Sequence, residues 1–397
     1  MIGTLLSQLH PYPAMVADEL ANSIESKYFP DGTTVLDPFC GSGRLLAATA
    51  AKDVARVGYD ANPLACLLSR AKLTPVDKER VADLVDRFNK RAETNRPSTV
   101  ISVLSGRVKW FSDAVLEDLS SIVHWINDQE LKGAELYLMA SALSATARAS
   151  SFARKSGWKL HRMSETDRTV HSFDVEKYFL RKIRYIHKEI SRRPAVCGST
   201  SIINSSMEAA LSKTEVKFDR ILTSPPYGDS RTTVQYGATS ELCLSVVRHI
   251  RGLDDMFKPG CVIDRECLGG TTLNADEMPR EEIWGGGALN PRSRSVSNFL
   301  GDYRQACDLI SNSLSENGVA VFVVGCRTVG GHLLRLDRFT TDVMTQNGKV
   351  LIEEYDRPLK RKTLPHTINR YARAADDERR LGGAARTMLS EQILVFA

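Results

Sequence analysis

Apolar residues recur every four positions at Val16, Leu20, Ile24 and Tyr28, which predicts a helix over 13–28 that Asp31-Gly32 ends. Thr33 to Leu36 reads as a buried strand, followed by a Gly-x-Gly turn and a helix from Arg44 through Ala51. Arg56 to Asp60 is a second strand closing on an acid. Strand, glycine turn, helix, strand, acid is the βαβ pattern of a nucleotide-binding half-sheet. Helical spacing returns at Val81, Leu84, Val85 and Phe88, and again at Val115, Leu119, Ile122 and Ile126 with Asp113 as N-cap. Asn95-Arg96-Pro97-Ser98 separates these two as a linker. A further helix carries Val175, Phe179, Ile183, Ile186 and Ile190 on one face and Lys177, Arg181, Arg184 and Lys188 on the other.

In the second half, Phe218 to Thr223 is a strand that runs into a Pro-Pro turn. Residues 261–297 are glycine-rich and polar and read as a long excursion. Leu300, Tyr303, Cys307, Ile310 and Leu314 restore helical spacing, Gly318 caps it, and Val319 to Val324 is a strand. Val350 to Tyr355 and Gln392 to Phe396 are two more. Strands alternating with helices predict an α/β fold around a mostly parallel sheet.

Composition narrows this picture only slightly. The 397 residues are 42% hydrophobic and 25% charged, as in a globular protein. The start of the chain lacks a basic region followed by an apolar run, which excludes a signal peptide there. Eight cysteines without a Cys-x-x-Cys pair, and no His cluster, suit free thiols in a reducing cytoplasm and no metal site. The net charge of +5 is uneven. Between Arg148 and Arg193 thirteen Lys/Arg face five Asp/Glu, a local excess of eight, so the remainder sums to −3. A basic block on a slightly acidic body suits a polyanionic partner.

Two segments carry chemistry. Gly41 and Gly43 let the chain turn sharply at the carboxyl end of the first strand, where open α/β sheets bind ligands, and permit close backbone approach. Asp60 is placed to accept hydrogen bonds from both hydroxyls of a ribose. Leu46 stands where a dinucleotide site would want a third glycine, which favours an adenosine carrier without a pyrophosphate. In Ser224-Pro225-Pro226-Tyr227 the serine hydroxyl and the Pro225 carbonyl can accept both N–H groups of an exocyclic base amine. That would pyramidalise a nitrogen whose lone pair is otherwise delocalised into the ring. The prolines stiffen the loop, and Tyr227 offers a face for an extruded base, a stacking contact of ~1–3 kcal/mol. A rigid exposed turn is the bland alternative for this segment, and a solvated helical face is the bland alternative for the basic block.

Asp37-Pro38-Phe39-Cys40-Gly41-Ser42-Gly43 resembles motif I of the S-adenosylmethionine-dependent amino-methyltransferases. Thr223 to Tyr227 resembles their motif IV in the Ser-Pro-Pro-Tyr form of DNA cytosine-N4 methyltransferases. His10-Pro11-Tyr12-Pro13-Ala14 resembles motif X, and Asp60-Ala61-Asn62-Pro63 resembles motif II. The resemblance implies a Rossmann-like class I fold, a seven-stranded sheet with helices on both faces and an inserted helical segment. Residues 1–94 would be the cofactor-binding half, 95–195 the basic insertion, and 196–397 the catalytic half, with 261–297 as an alternative target-recognition region. It implies S-adenosylmethionine held by His10, Tyr12, Pro13, Asp37, Pro38, Phe39, Cys40, Gly41, Ser42, Gly43, Asp60, Asn62 and Thr223. Ser224, Pro225, Pro226 and Tyr227 would be catalytic.

The implied activity is site-specific methylation of the N4 amine of a flipped cytosine in double-stranded DNA, with a cognate restriction endonuclease as partner. Arg154, Lys155, Lys159, Arg181, Arg184, Arg231, Lys360 and Lys362 are the DNA-contact candidates. Adenine-N6 methylation of DNA, guanine-N2 methylation of RNA and an inactive DNA-binding scaffold are the alternatives. Two departures stand out: Arg44 replaces the usual small hydroxyl residue after the second glycine, and Val196-Cys197-Gly198-Ser199 lacks the acid of motif III.

Overall fold

The computed structural model describes residues 6–13, 16–91, 100–101, 110–154, 160–213, 215–228, 236–270, 281–285, 291–329, 332–358, 367–368, 385–386 and 390–397. Its main sheet has seven strands: β1 Thr34–Asp37, β2 Ala55–Asp60, β3 Ser199–Asn204, β4 Phe218–Thr223, β5 Leu314–Gly325, β6 Leu351–Pro358 and β7 Ser390–Phe396. Their order is β3-β2-β1-β4-β5-β7-β6. β2 runs parallel to β1 and to β3, and β4 parallel to β5, whereas β7 is antiparallel to both β5 and β6. The fold is the expected Rossmann-like α/β arrangement. Two compact units divide the chain, Met1–Ser206 with Val234–Asp264 and Met207–Thr233 with Arg265–Ala397.

The first unit holds β1 to β3 and the helices α1 Asp18–Tyr28, α2 Arg44–Ala48, α3 Pro63–Leu73, α4 Lys78–Lys90, α5 Asp113–Asp128, α6 Gly133–Ser150, α7 Val175–Ser191 and α8 Tyr236–Val247. Side-chain caps start several of them: Asn62 accepts from Leu64 N, Asp77 from Glu79 N and Arg80 N, Ser112 from Val115 N, and Asp174 from Lys177 N. The α5 cap is thus Ser112, one residue before the expected Asp113. The first helix begins at Asp18, five residues later than its apolar spacing suggests.

α6 is the hub of the unit. Ala140, Ala142, Ala145 and Ala147 are buried along it, and such small side chains let α3, α5, α7 and α8 pack closely around it. Phe88 of α4 meets Trp125 of α5 and Phe179 of α7 edge-on, each at 4.9 Å between ring centroids. The helices of 95–195 therefore share one apolar core with α3 and α4. Arg56 is buried on β2, its guanidinium donating to Thr49 Oγ1 and to the carbonyls of Thr49, Lys52, Val54 and Cys197.

The second unit holds β4 to β7, α9 Pro291–Ser313 and α10 Leu336–Gln346. α10 packs on β5 and β7 and against α9. There Tyr303 stacks on Phe299 and shares a 2.8 Å hydrogen bond with Thr340. α9 starts inside the expected 261–297 excursion. Gly318 lies within β5, which runs from Leu314, and does not cap a helix. A Cβ at Gly318 would come within 2.7 Å of Leu314 Cγ, so the local packing needs the glycine. Among the described residues no helix is long and apolar enough to cross a membrane.

Candidate functional site

In the first unit, four sequence-distant segments meet at the carboxyl ends of β1 and β2. Gly41 adopts φ +51° and Gly43 φ +71°, the left-handed region that favours glycine. The two glycines serve different ends. A Cβ on Gly41 would find only Tyr12 Cε1 at 3.8 Å and Phe39 O at 4.0 Å, leaving its surface open to a ligand. A Cβ on Gly43 would lie 2.6 Å from Ser69 Oγ of α3. Gly43 therefore permits close packing of α3 against the turn. Ser69 Oγ in turn donates to Gly41 O at 2.9 Å, fixing the turn.

Asp60 closes β2. Its Oδ2 accepts from Gly41 N at 2.9 Å and its Oδ1 from Asn62 N at 2.8 Å. A carboxylate offers about four acceptor sites, so these bonds leave room for hydroxyl donors. The residue remains partly exposed, yet its dense surroundings push the carboxyl up to about 6. The orienting effect of the two N–H donors does not outweigh that desolvation. Asn62 commits its side chain entirely within the unit: Oδ1 accepts from Leu64 N at 3.0 Å, and Nδ2 donates to Tyr12 OH at 3.2 Å and Ser240 Oγ at 2.9 Å. Tyr12 lies 5.9 Å from Tyr236 between ring centroids.

His10 is buried with both ring nitrogens engaged, Nδ1 with Pro11 O at 2.7 Å and Nε2 with Ser144 Oγ at 3.0 Å. Burial lowers its imidazole to about 4, so at neutral pH it donates from Nδ1 and accepts at Nε2. It anchors the 6–13 segment to α6. Arg44 does the same from α2, donating to Val16 O and Ser7 O and pairing with Asp18 at 3.2 Å. That accounts for the departure at this position. Asp37 is buried and accepts from Phe39 N at 3.1 Å. Pro13 and Pro38 are buried, and Phe39 is half-buried. Burial raises the Cys40 thiol well above its ordinary range, which keeps it a neutral packing group. Ser42 Oγ is buried without a hydrogen-bond partner among the described residues.

In the second unit, β4 ends in buried Thr223, whose Oγ1 likewise lacks a partner among the described residues. Ser224 is half-buried, Pro225 buried, and Pro226 and Tyr227 half-buried. Ser224 Oγ and Tyr227 OH are 3.2 Å apart, and Tyr227 OH donates to Glu391 Oε1 at 3.2 Å. Glu391 Oε2 accepts from Arg357 Nη1 at 2.8 Å. Arg357 is thus tied to a buried carboxylate.

Sequence reasoning did not find Ser69, Ser240, Tyr236 or Glu391. Each is a lone polar or aromatic residue in an ordinary helix or strand, and nothing in local spacing singles it out. Of the basic candidates, Arg154, Arg181 and Arg184 are exposed. Lys155, Lys159, Arg231, Lys360 and Lys362 lie outside the described residues, as does Ala14. Lys177 and Lys188 join Arg181 and Arg184 as an exposed stripe on α7. The strand missing from the sequence reading is β3, polar and at the sheet edge, ending at Asn204. Asn204 Nδ2 donates to Asp60 O at 2.9 Å.

No family model matches the chain. Over 291 residues it is 31% identical to the type II methyltransferase M.MvaI of Kocuria varians, covering 68% of this chain and 62% of that protein. The chain thus spans less than two thirds of that relative's length. It is 29% identical over 89 residues to the type II methyltransferase M.MjaII of Methanocaldococcus jannaschii, 22% of this chain and 17% of that one. Among solved structures it resembles a precorrin 8w decarboxylase of Methanobacterium thermoautotrophicum (TM-score 0.35, 9% identity, 100% and 99% covered). It also resembles the rRNA methyltransferase aviRa of Streptomyces viridochromogenes (TM-score 0.31, 12% identity, 98% and 88% covered). Superpositions that loose bear on neither mechanism nor substrate. The sequence similarities place this chain beside proteins named type II methyltransferases.

Proposed function

We propose that the chain is a site-specific DNA methyltransferase that moves a methyl group from S-adenosylmethionine to the exocyclic N4 amine of a cytosine extruded from the duplex. The observation that carries this reading is the Ser224 hydroxyl, held half-buried beside Tyr227 in a Pro-Pro turn at the end of a parallel strand. The similarity to proteins named type II methyltransferases supports it.

The first unit fits the cofactor. The open face of Gly41, the partly exposed Asp60 carboxylate and the unpartnered Ser42 hydroxyl suit an adenosine with two sugar hydroxyls. Gly41, Ser42 and Asp60 would hold it, with Tyr12 beside the turn. Bound there, S-adenosylmethionine supplies a methyl carbon made electrophilic by its sulfonium. His10, Arg44 and Asn62 act by holding the surrounding segments in place.

Ser224 and the Pro225 carbonyl accept the two N–H groups of the target amine and turn its lone pair out of the ring plane. The nitrogen would gain the methyl as the carbon–sulfur bond breaks, leaving a neutral thioether, and would release one proton to water. Positioning supplies most of the acceleration. Extrusion of the base costs a few kcal/mol, offset in part by stacking on Tyr227. The exposed stripe Lys177, Arg181, Arg184 and Lys188 supplies phosphate contacts, and a restriction endonuclease of the same site is the expected partner.

Purified protein, labelled S-adenosylmethionine and duplex DNA test the reading after digestion to nucleosides. Label eluting as N4-methyl-2′-deoxycytidine is the expected result. Label only in N6-methyl-2′-deoxyadenosine would replace the target base, and transfer to RNA but not DNA would overturn the proposal.

A further inference from the structure

Glu391 lies on β7 directly across from Arg357 on β6, two strands far in sequence from the turn that carries Ser224. It is 7% exposed, and each of its oxygens is engaged, one by Tyr227 OH and the other by Arg357. A carboxylate has no hydrogen to give, whereas a phenol has one. The Tyr227 hydrogen therefore points to Glu391, and the Tyr227 oxygen faces Ser224 as an acceptor. The Ser224 hydrogen is directed to Tyr227. What remains on Ser224 Oγ is lone pairs.

We infer that the Glu391–Tyr227 pair sets the hydrogen-bond polarity of Ser224, so that the site admits a base presenting an amine and rejects one presenting a carbonyl at the same position. The inference rests on the methyl-transfer reading above and adds to it a specificity role for Glu391. An isolated serine hydroxyl rotates freely and would serve an amine or a carbonyl equally, because it can accept or donate. Directed by Tyr227, it meets an N–H of cytosine with a lone pair but meets O4 of uracil lone pair to lone pair. Sites whose polar groups are committed in this way reject the mismatched analogue far more strongly than apolar pockets do. Glu391 and Tyr227 act through Ser224, and Glu391 is a positioning residue.

The test uses the full chain and three forms of its recognition duplex, carrying cytosine, uracil or an abasic site at the target position. Methylation-aware sequencing of DNA from cells expressing the chain first identifies that duplex. If adenine proves to be the target, adenine and hypoxanthine take the places of cytosine and uracil. Tyr227→Phe removes only the hydroxyl and preserves the stacking ring and the Glu391–Arg357 pair. Glu391→Gln replaces an obligate acceptor with a group that can also donate. The expected result is that the cytosine-to-uracil affinity ratio falls by about tenfold or more in both variants, while affinity for the abasic duplex stays within about twofold of wild type. A general loss of structure would lower all three affinities together. Should the ratio stay within about twofold of wild type in Tyr227→Phe, with wild-type protein active on DNA, the polarity inference is overturned. Wild-type protein that methylates no DNA would instead overturn the functional reading beneath it.

Discussion

Asn62 Nδ2 donates to the Ser240 hydroxyl at 2.9 Å, a bond between positions 178 residues apart. The same side chain caps α3 and holds Tyr12, so one amide joins the loop after β2, the 6–13 segment and α8. Asn62→Ala would remove the cap and one hydrogen bond from each of two buried hydroxyls, a loss of about 2–4 kcal/mol. Thermal unfolding should show a clear drop in the midpoint. An unchanged midpoint would mean that these bonds do not hold the segments.

Gly41→Ala and Gly43→Ala should part ways. Both force a side chain into the left-handed region, at roughly 1–2 kcal/mol. Only Gly43→Ala also drives a Cβ to 2.6 Å from Ser69 Oγ, which is itself fixed by Gly41 O. The Gly43 variant should therefore be the less stable of the two. Gly41→Ala should keep its fold and lose cofactor affinity by about tenfold, because the new methyl occupies the open face. Calorimetric titration with S-adenosylhomocysteine beside a melting curve separates the two effects.

Cofactor affinity should depend on Asp60. Its carboxyl is raised to about 6 by burial, so in the folded chain it still holds a proton at pH values where the unfolded chain has lost it. Any stability it contributes is present at low pH and is lost as pH rises through about 6. Sugar hydroxyls donate best to the charged form, so binding should tighten as pH approaches about 6 and level off above it. Asp60→Asn should flatten this profile in titrations across that range. A wild-type profile that is already flat would remove Asp60 from the cofactor's contacts.

His10 gives the opposite sign. Its imidazole protonates at about 6.5 in the unfolded chain but only at about 4 in the folded one. Its contribution is full above about 6.5 and is lost as pH falls toward about 4, on the order of 3 kcal/mol for so buried a group. Nitrogen-15 NMR should find the His10 ring neutral, with its proton on Nδ1, at mildly acidic pH. A doubly protonated ring there would make Nε2 a donor to Ser144 and contradict the lowering of the imidazole by burial.

Arg181 and Arg184 test the DNA-facing stripe. Arg181 lies over Tyr178 at 4.5 Å, and Arg184 donates to Asn89 Oδ1 at 2.8 Å, both at the surface. Replacing each with alanine should change stability by no more than about 0.5 kcal/mol. If both arginines contact phosphates, the slope of log affinity against log salt should fall by about 0.9 for each one removed. An unchanged slope would leave the stripe a merely solvated face.

Period and punctuation read correctly wherever the signal is local. The Val35-Leu36 run before Gly41, the Phe218 to Thr223 strand before Pro225, and the apolar face of Val175 to Ile190 all lie where spacing puts them. β3 escaped because Ser199, Thr200 and Ser201 occupy an edge, where a strand needs no continuous apolar run. α6 and α8 escaped because they are apolar nearly all round, which erases a one-faced pattern.

The linear order of residues determined the turns, the glycine pair, the Pro-Pro loop and the two faces of α7, since each depends on neighbours a few positions away. Folding decided what no window of sequence contains: that Gly43 makes room for Ser69, that Asn62 answers to Ser240, and that Glu391 accepts from Tyr227. Hydrogen bonds reach only about 3 Å, so a polar residue acquires its role from whichever atom the packed core carries to that distance.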